Sequence, residues 1–272
     1  MVKQKRTEKR HAKKRSIKPF LLIGILAAVI VGVVFLYSGL IWSPQKQAAT
    51  VGIVDQFYNQ SSDFTDAMVT FLQSKNITYE LHTNQEVNVE LYRKLPTFGY
   101  RMIILRVHSG ISEGYEQPTF LFTAENYSNE KYTYEQLTDQ IKPGVIDIST
   151  KANPVFSIGP LFVSSSMEGN FNGSLIVISS CYGMHNTQLA DSLIRKGASA
   201  LISWDELVTL DHTDSGVLSL TRAFIEGGLT INASVSSVME SVGPDPAYGS
   251  VLEYYPSTSG TDSWAELIES KT

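Results

Sequence analysis

Two short segments hold the residue types of nucleophilic catalysis. Val107-His108-Ser109-Gly110 and Ser179-Ser180-Cys181-Tyr182-Gly183 each close an apolar run, supplying one imidazole and one thiol. A thiol attacks as thiolate and needs a base or cation beside it, most often histidine. Small residues on both sides leave room for a substrate backbone, and glycine lets amides turn toward a developing oxyanion. Cys181 is the only cysteine of the chain, so no internal disulfide forms; a cysteine ending a buried strand is also an ordinary packing residue. The five histidines and single cysteine show no His-x-x-x-His or Cys-x-x-Cys spacing, and no metal is expected. Gly-x-Gly-x-x-Gly does not occur, which removes the dinucleotide loop and leaves no cofactor expected.

The elements around these segments alternate. Thr50–Phe57, Ile77–His82, Met102–Val107, Leu175–Ser180, Ala200–Trp204 and Val251–Tyr255 have strand length and apolar content. Helical spacing covers Ser61–Lys75, Val89–Phe98, Thr187–Lys196, Thr213–Glu226 and Ile231–Val242, with Gly197 placed to end the third. Such a succession predicts an α/β fold with a mostly parallel sheet and helices on both faces. Residues 111–173 interrupt it. Strand-like Thr119–Ala124, a helix near Thr133–Ile141, and β-like stretches at Val145–Ile148 and Pro154–Val163 read as an excursion of hairpins, not a second domain. In open α/β sheets reactive groups gather at the carboxyl ends of strands, where His108 and Cys181 both fall.

RMIILRVHSG (101–110) and LIVISSCYG (175–183) resemble the caspase-like cysteine peptidases, which include caspases, gingipains, legumains, separases and CHAT domains. QLADSLIRKGASALISWDELVTLDHTDSGVLSLTRAFIEGG (188–228) is similar to the CHAT pattern of helix, Gly-Ala, strand ending in Trp, acidic segment and helix. The resemblance covers roughly 50–255, without the excursion. It implies a three-layer caspase-like sandwich, Cys181 as nucleophile and His108 as base. It also implies an oxyanion held by backbone amides of Ser109 or Gly110 and of Cys181. Ser109 stands where the family usually has glycine, and Ser180 where several members carry an acid or alanine. Members that cleave after Arg or Lys use carboxylates, so Asp205, Glu206, Asp211 and Asp214 are candidate substrate contacts, with Trp204 as a pocket wall. Solvated loop charge or a helix first turn accounts for each acid better than substrate contact does, and core packing better accounts for Trp204. His185 and His212 are runner-up bases.

The first 42 residues set location. Residues 1–18 hold nine Lys/Arg and one acid, and 19–42 are 24 residues without charge. About 20 apolar residues span a bilayer, and the basic flank favours a cytoplasmic N-terminus, so 19–42 is expected to be an uncleaved membrane helix. A cleaved signal would have a shorter apolar run. Residues 43–49 then read as a linker and 50–272 as one extracytoplasmic domain. Beyond residue 42 the chain keeps 13 Lys/Arg against 26 Asp/Glu, which argues against nucleic acid as partner. Sequons at Asn59, Asn76, Asn126, Asn172 and Asn232 suit an exported, glycosylated surface. The leading expectation is a membrane-anchored cysteine endopeptidase acting on polypeptide, favouring basic residues before the scissile bond. An inactive caspase-like ectodomain for binding, adhesion or sensing, and a flavodoxin-like ligand-binding domain, are the alternatives.

Overall fold

The computed structural model describes residues 50–146 and 153–269. The expected basic tail, membrane helix and linker lie outside the described residues. Among the described residues no helix is long and apolar enough to cross a membrane.

A six-stranded sheet forms the centre, in the order β10-β9-β8-β3-β1-β2. Its strands are β1 (Val51–Asp55), β2 (Tyr79–Thr83), β3 (Met102–Arg106), β8 (Leu175–Ser179), β9 (Ala200–Trp204) and β10 (Leu252–Tyr255). All pairings are parallel except that of β10 with β9. β1, β3, β8 and β9 are buried along their whole length, which is why they read as continuous apolar runs.

Period-two alternation sends successive side chains into different cores. Val51, Ile53, Met102, Ile104, Leu175, Val177, Ile202 and Trp204 face one side. There they meet Phe64, Met68 and Leu72 of α1 (Asp63–Ser74), Val217, Leu220 and Phe224 of α6 (Leu210–Ile225), and Val235 and Val238 of α7 (Ile231–Ser241). Val54, Ile103, Leu105, Ile176, Ile178 and Leu201 face the other side. They pack on α2 (Val89–Lys94), α4 (Pro160–Ser165) and α5 (Gln188–Arg195). Gly52 of β1 lies under the Tyr100 ring, and a Cβ there would overlap its edge.

The excursion builds a second, antiparallel sheet in the order β4-β5-β7-β6. Its strands are β4 (Ser109–Ile111), β5 (Thr119–Asn126), β6 (Ile141–Gly144) and β7 (Val155–Ile158). Leu121, Phe156 and Ile158 join the core on the α2, α4 and α5 side, so this segment is part of the same domain. Three expectations shift here. The helix is only Thr133–Leu137 (α3), and β6 precedes the stretch expected at 145–148, of which 147 and 148 lie outside the described residues. The stretch ending at Val163 divides at Gly159, because Pro160 suits a first helical position and Phe162 and Val163 then bury in α4. Asn76 and Asn172, two of the sequon residues, occupy left-handed turns, a role asparagine fills without glycosylation. A last short helix, α8, spans Trp264–Glu269.

Candidate active site

β1 is flanked by β2 on one side and β3 on the other, so the chain reverses its direction of travel across the sheet between β1 and β3. Open α/β sheets form a crevice at the carboxyl ends of the strands at such a point. Register fixes what stands there. Asp55, Arg106 and Ser179 are side-by-side partners in the last row of β1, β3 and β8. Two residues further on each chain, beyond the last paired row, come Phe57, His108 and Cys181, all three on the wall of one cavity. The Phe57 and His108 rings meet edge to face with centroids 4.4 Å apart.

Both His108 and Cys181 line one cavity of about 350 Å³. Phe57, Val107, Ser179, Ser180, the 207–210 loop, Thr213 and Tyr248 also border it. His185 and His212 do not. His185 Nδ1 lies 3.4 Å from Glu206, and the His212 ring is bonded to the Gly243 carbonyl at 3.0 Å. Among the described residues, His108 is the only histidine on the cavity wall.

Each half of the pair is held by backbone. The His108 amide donates to Gln56 Oε1 at 2.8 Å, and Gln56 Nε2 donates to the Thr123 carbonyl at 2.8 Å. The Phe122 amide donates to the His108 carbonyl at 2.8 Å, which makes these two a bonded pair of the β4–β5 ladder. Antiparallel alternation then uses the Gly110 amide within the ladder and leaves the Ser109 amide on the open side of β4, the edge strand. Of the two expected oxyanion donors, Ser109 is therefore the one left available. Its hydroxyl bonds Ser180 Oγ and the Cys181 carbonyl, stitching the two strand ends together. Tyr182 follows with a left-handed φ of 57°, and its amide donates to the Glu206 carbonyl. Gly183 passes so close to Ser203 that a Cβ would overlap its hydroxyl.

Both reactive groups rest uncharged. Burial pushes the His108 imidazole down to about 4. Burial pushes the Cys181 thiol above its ordinary value, the Val208 amide offsets part of this, and the nearby Asp245 charge adds to it. Cys181 Sγ accepts from the Val208 amide at 3.5 Å and faces the Val208 carbonyl at 3.6 Å.

Below the cavity lies a polar layer that the spacing of motifs did not reveal. Arg106 is fully buried. It donates to Asp55 at 2.9 Å and forks onto both oxygens of Asp214 at 2.7 and 2.8 Å. It also lies 5.3 Å from the ring centres of Phe57 and Phe64. Burial opposes its charge, but Asp214 and Asp55 outweigh that and hold Arg106 above its ordinary value. Burial raises the Asp214 carboxyl, with Arg106 acting against that rise. Beside this layer Trp204 Nε1 donates to Thr213 Oγ1, which shares a hydrogen bond with Ser179 Oγ, each at 2.9 Å. The signal for Arg106 and Asp55 was present: each is a charged residue closing a strand with no other charge.

The expected substrate contacts stand elsewhere. Asp214 is the Arg106 partner. Asp205 Oδ1 accepts from Ser250 Oγ at 2.9 Å and the Val251 amide at 2.8 Å. Asp211 lies in the first turn of α6, on the exposed surface. Trp204 is a core residue with no exposed surface, and Gly216 of α6 makes room for its ring. None of these four borders the cavity. The helix carrying Asp211 starts three residues before the expected Thr213, because buried Asp245 accepts from both the Thr209 amide and hydroxyl and fixes the turn. Asp245 also accepts from the Ala247 and Tyr248 amides, so one carboxylate sets two parts of the cavity rim. Among the described residues no group of three or more His, Cys, Asp or Glu could hold a metal ion.

A scan against protein-family models finds no match for this chain, and no curated protein matches its sequence at a significant level.

Proposed function

We propose that the domain is a caspase-like cysteine endopeptidase, held outside the cell by a membrane helix at 19–42. One observation supports this reading above the others. His108 and Cys181, two residues beyond the register pair Arg106 and Ser179, line the same cavity at the carboxyl edge of a parallel sheet. In the proposed reaction Cys181 Sγ attacks the scissile carbonyl as its proton passes to His108. The Ser109 amide, with that of Cys181, stabilises the oxyanion. Collapse breaks the C–N bond, His108 returns the proton to the leaving amine, and a thioester remains. Water, deprotonated by His108, then releases the acid and restores the thiol.

The test is cleavage of quenched fluorescent peptides by the full chain in detergent. Cys181→Ala is expected to abolish turnover, and His108→Gln to lower kcat at least 100-fold with KM little changed. Undiminished turnover in Cys181→Ala would contradict the proposal.

A binding module built on the same fold is the second reading. It is favoured by the engagement of Cys181 Sγ with both backbone groups of Val208 and by the raised thiol. It expects no turnover on any peptide, with native Cys181 still present and unmodified.

A further inference from the structure

The cavity beside Cys181 is apolar where the sequence suggested an acidic pocket. Its apolar walls are Phe57, Val107, Leu207, Val208, Leu210 and the ring of Tyr248; Gln60, Ser179, Ser180, Thr209 and Thr213 add uncharged polar groups, and none of its thirteen lining residues is Asp, Glu, Lys or Arg. The buried carboxylates beneath and beside it are already engaged. Asp214 and Asp55 bind Arg106 beneath the floor, and Asp245 is filled by four donors from the rim. A cationic side chain in this cavity would lose its hydration and gain no carboxylate, and an anionic one would find no free guanidinium. A large apolar side chain loses nothing and leaves water, which favours it by about 1.5–3 kcal/mol when fully buried. The volume, about 350 Å³, is at the lower end of small-ligand sites, enough for one bulky side chain with its adjoining peptide.

We infer that this cavity receives a large aliphatic or aromatic side chain of an extended peptide, the residue whose carbonyl faces Cys181. The inference rests on the peptidase reading for its geometry, and it makes Leu207 a specificity-determining residue. Leu207 is 38% exposed at the rim, so a polar replacement there leaves the core intact.

The experiment uses the full chain in detergent and two measurements on one peptide series, in which a single position is Leu, Phe, Arg, Lys or Asp. The first is cleavage by the native chain; the second is equilibrium binding to Cys181→Ala, read by fluorescence anisotropy of labelled peptide. Expected are at least tenfold higher kcat/KM and tighter binding for Leu or Phe than for Arg, Lys or Asp. Leu207→Asp is expected to reverse this order toward Arg and Lys. Apolar-selective binding without cleavage upholds the cavity's preference and removes the peptidase. Cleavage that favours Arg, Lys or Asp overturns the preference and keeps the peptidase. Absence of both binding and cleavage overturns both.

Discussion

At the scale of single residues, a neutral imidazole and a neutral thiol on one cavity wall have measurable consequences. His108 in the fold titrates near 4, below the ordinary 6.5, so the unfolded chain takes up its proton first as pH falls. Stability contributed by burying the neutral ring is therefore complete above pH 6.5, declines between 6.5 and 4, and is flat below. The decline is about 3 kcal/mol at most. His108→Gln should remove that segment of the stability–pH curve, measured by urea denaturation at half-unit steps. Cys181 should alkylate slowly at neutral pH, with a rate that climbs only above the ordinary thiol range. A rate already at its plateau at pH 7 would show a preformed thiolate and contradict the neutral pair. These two residues were legible from sequence because each ends a buried-type strand in a run of small residues. Their charge states were not legible, since burial depends on Phe57, Val208 and α6, all brought in by tertiary packing.

At the scale of elements, Arg106 joins the ends of β1 and β3 to α6 through two carboxylates. Removing it leaves Asp55 and Asp214 without their cation in a buried layer, a change that typically costs about 3–5 kcal/mol. Arg106→Met should lower stability by that amount in chemical denaturation. Arg106→Lys should recover only part of it, because an ammonium cannot span both oxygens of Asp214. Equal stability of the lysine variant would show that charge alone matters there. The central strands and their flanking helices were readable to within a few residues, since an unbroken apolar run and a 3.6-residue period are local signals. The second sheet was not. Its strands lie in segments punctuated by Gly, Pro and Asn, and β5 pairs with β7 across α3 and β6, a contact no local pattern records. Asp214 illustrates the same limit: an acid on a helix looks solvated until β3 brings an arginine to it.

At the scale of the whole molecule, location and chemistry bear on each other. The single thiol has no disulfide partner in its own chain, and stability falls to two apolar cores on either side of one sheet. The full chain is expected in the membrane fraction, resistant to carbonate extraction, and a chain starting at residue 43 in the soluble fraction. Recovery of both in the soluble fraction would contradict the anchor. With the anchor upheld, the substrate would be a polypeptide within reach of a tether at the membrane surface, entering a cavity bounded by Leu207 and Tyr248. The most direct test of the catalytic assignment is the mass of the intact full chain after brief incubation with cleavable peptide and acid quenching. A working dyad predicts an added mass equal to the N-terminal half of the peptide, carried as a thioester on Cys181 and absent from Cys181→Ala. Turnover with the adduct on another residue, or undiminished in the alanine variant, would contradict it.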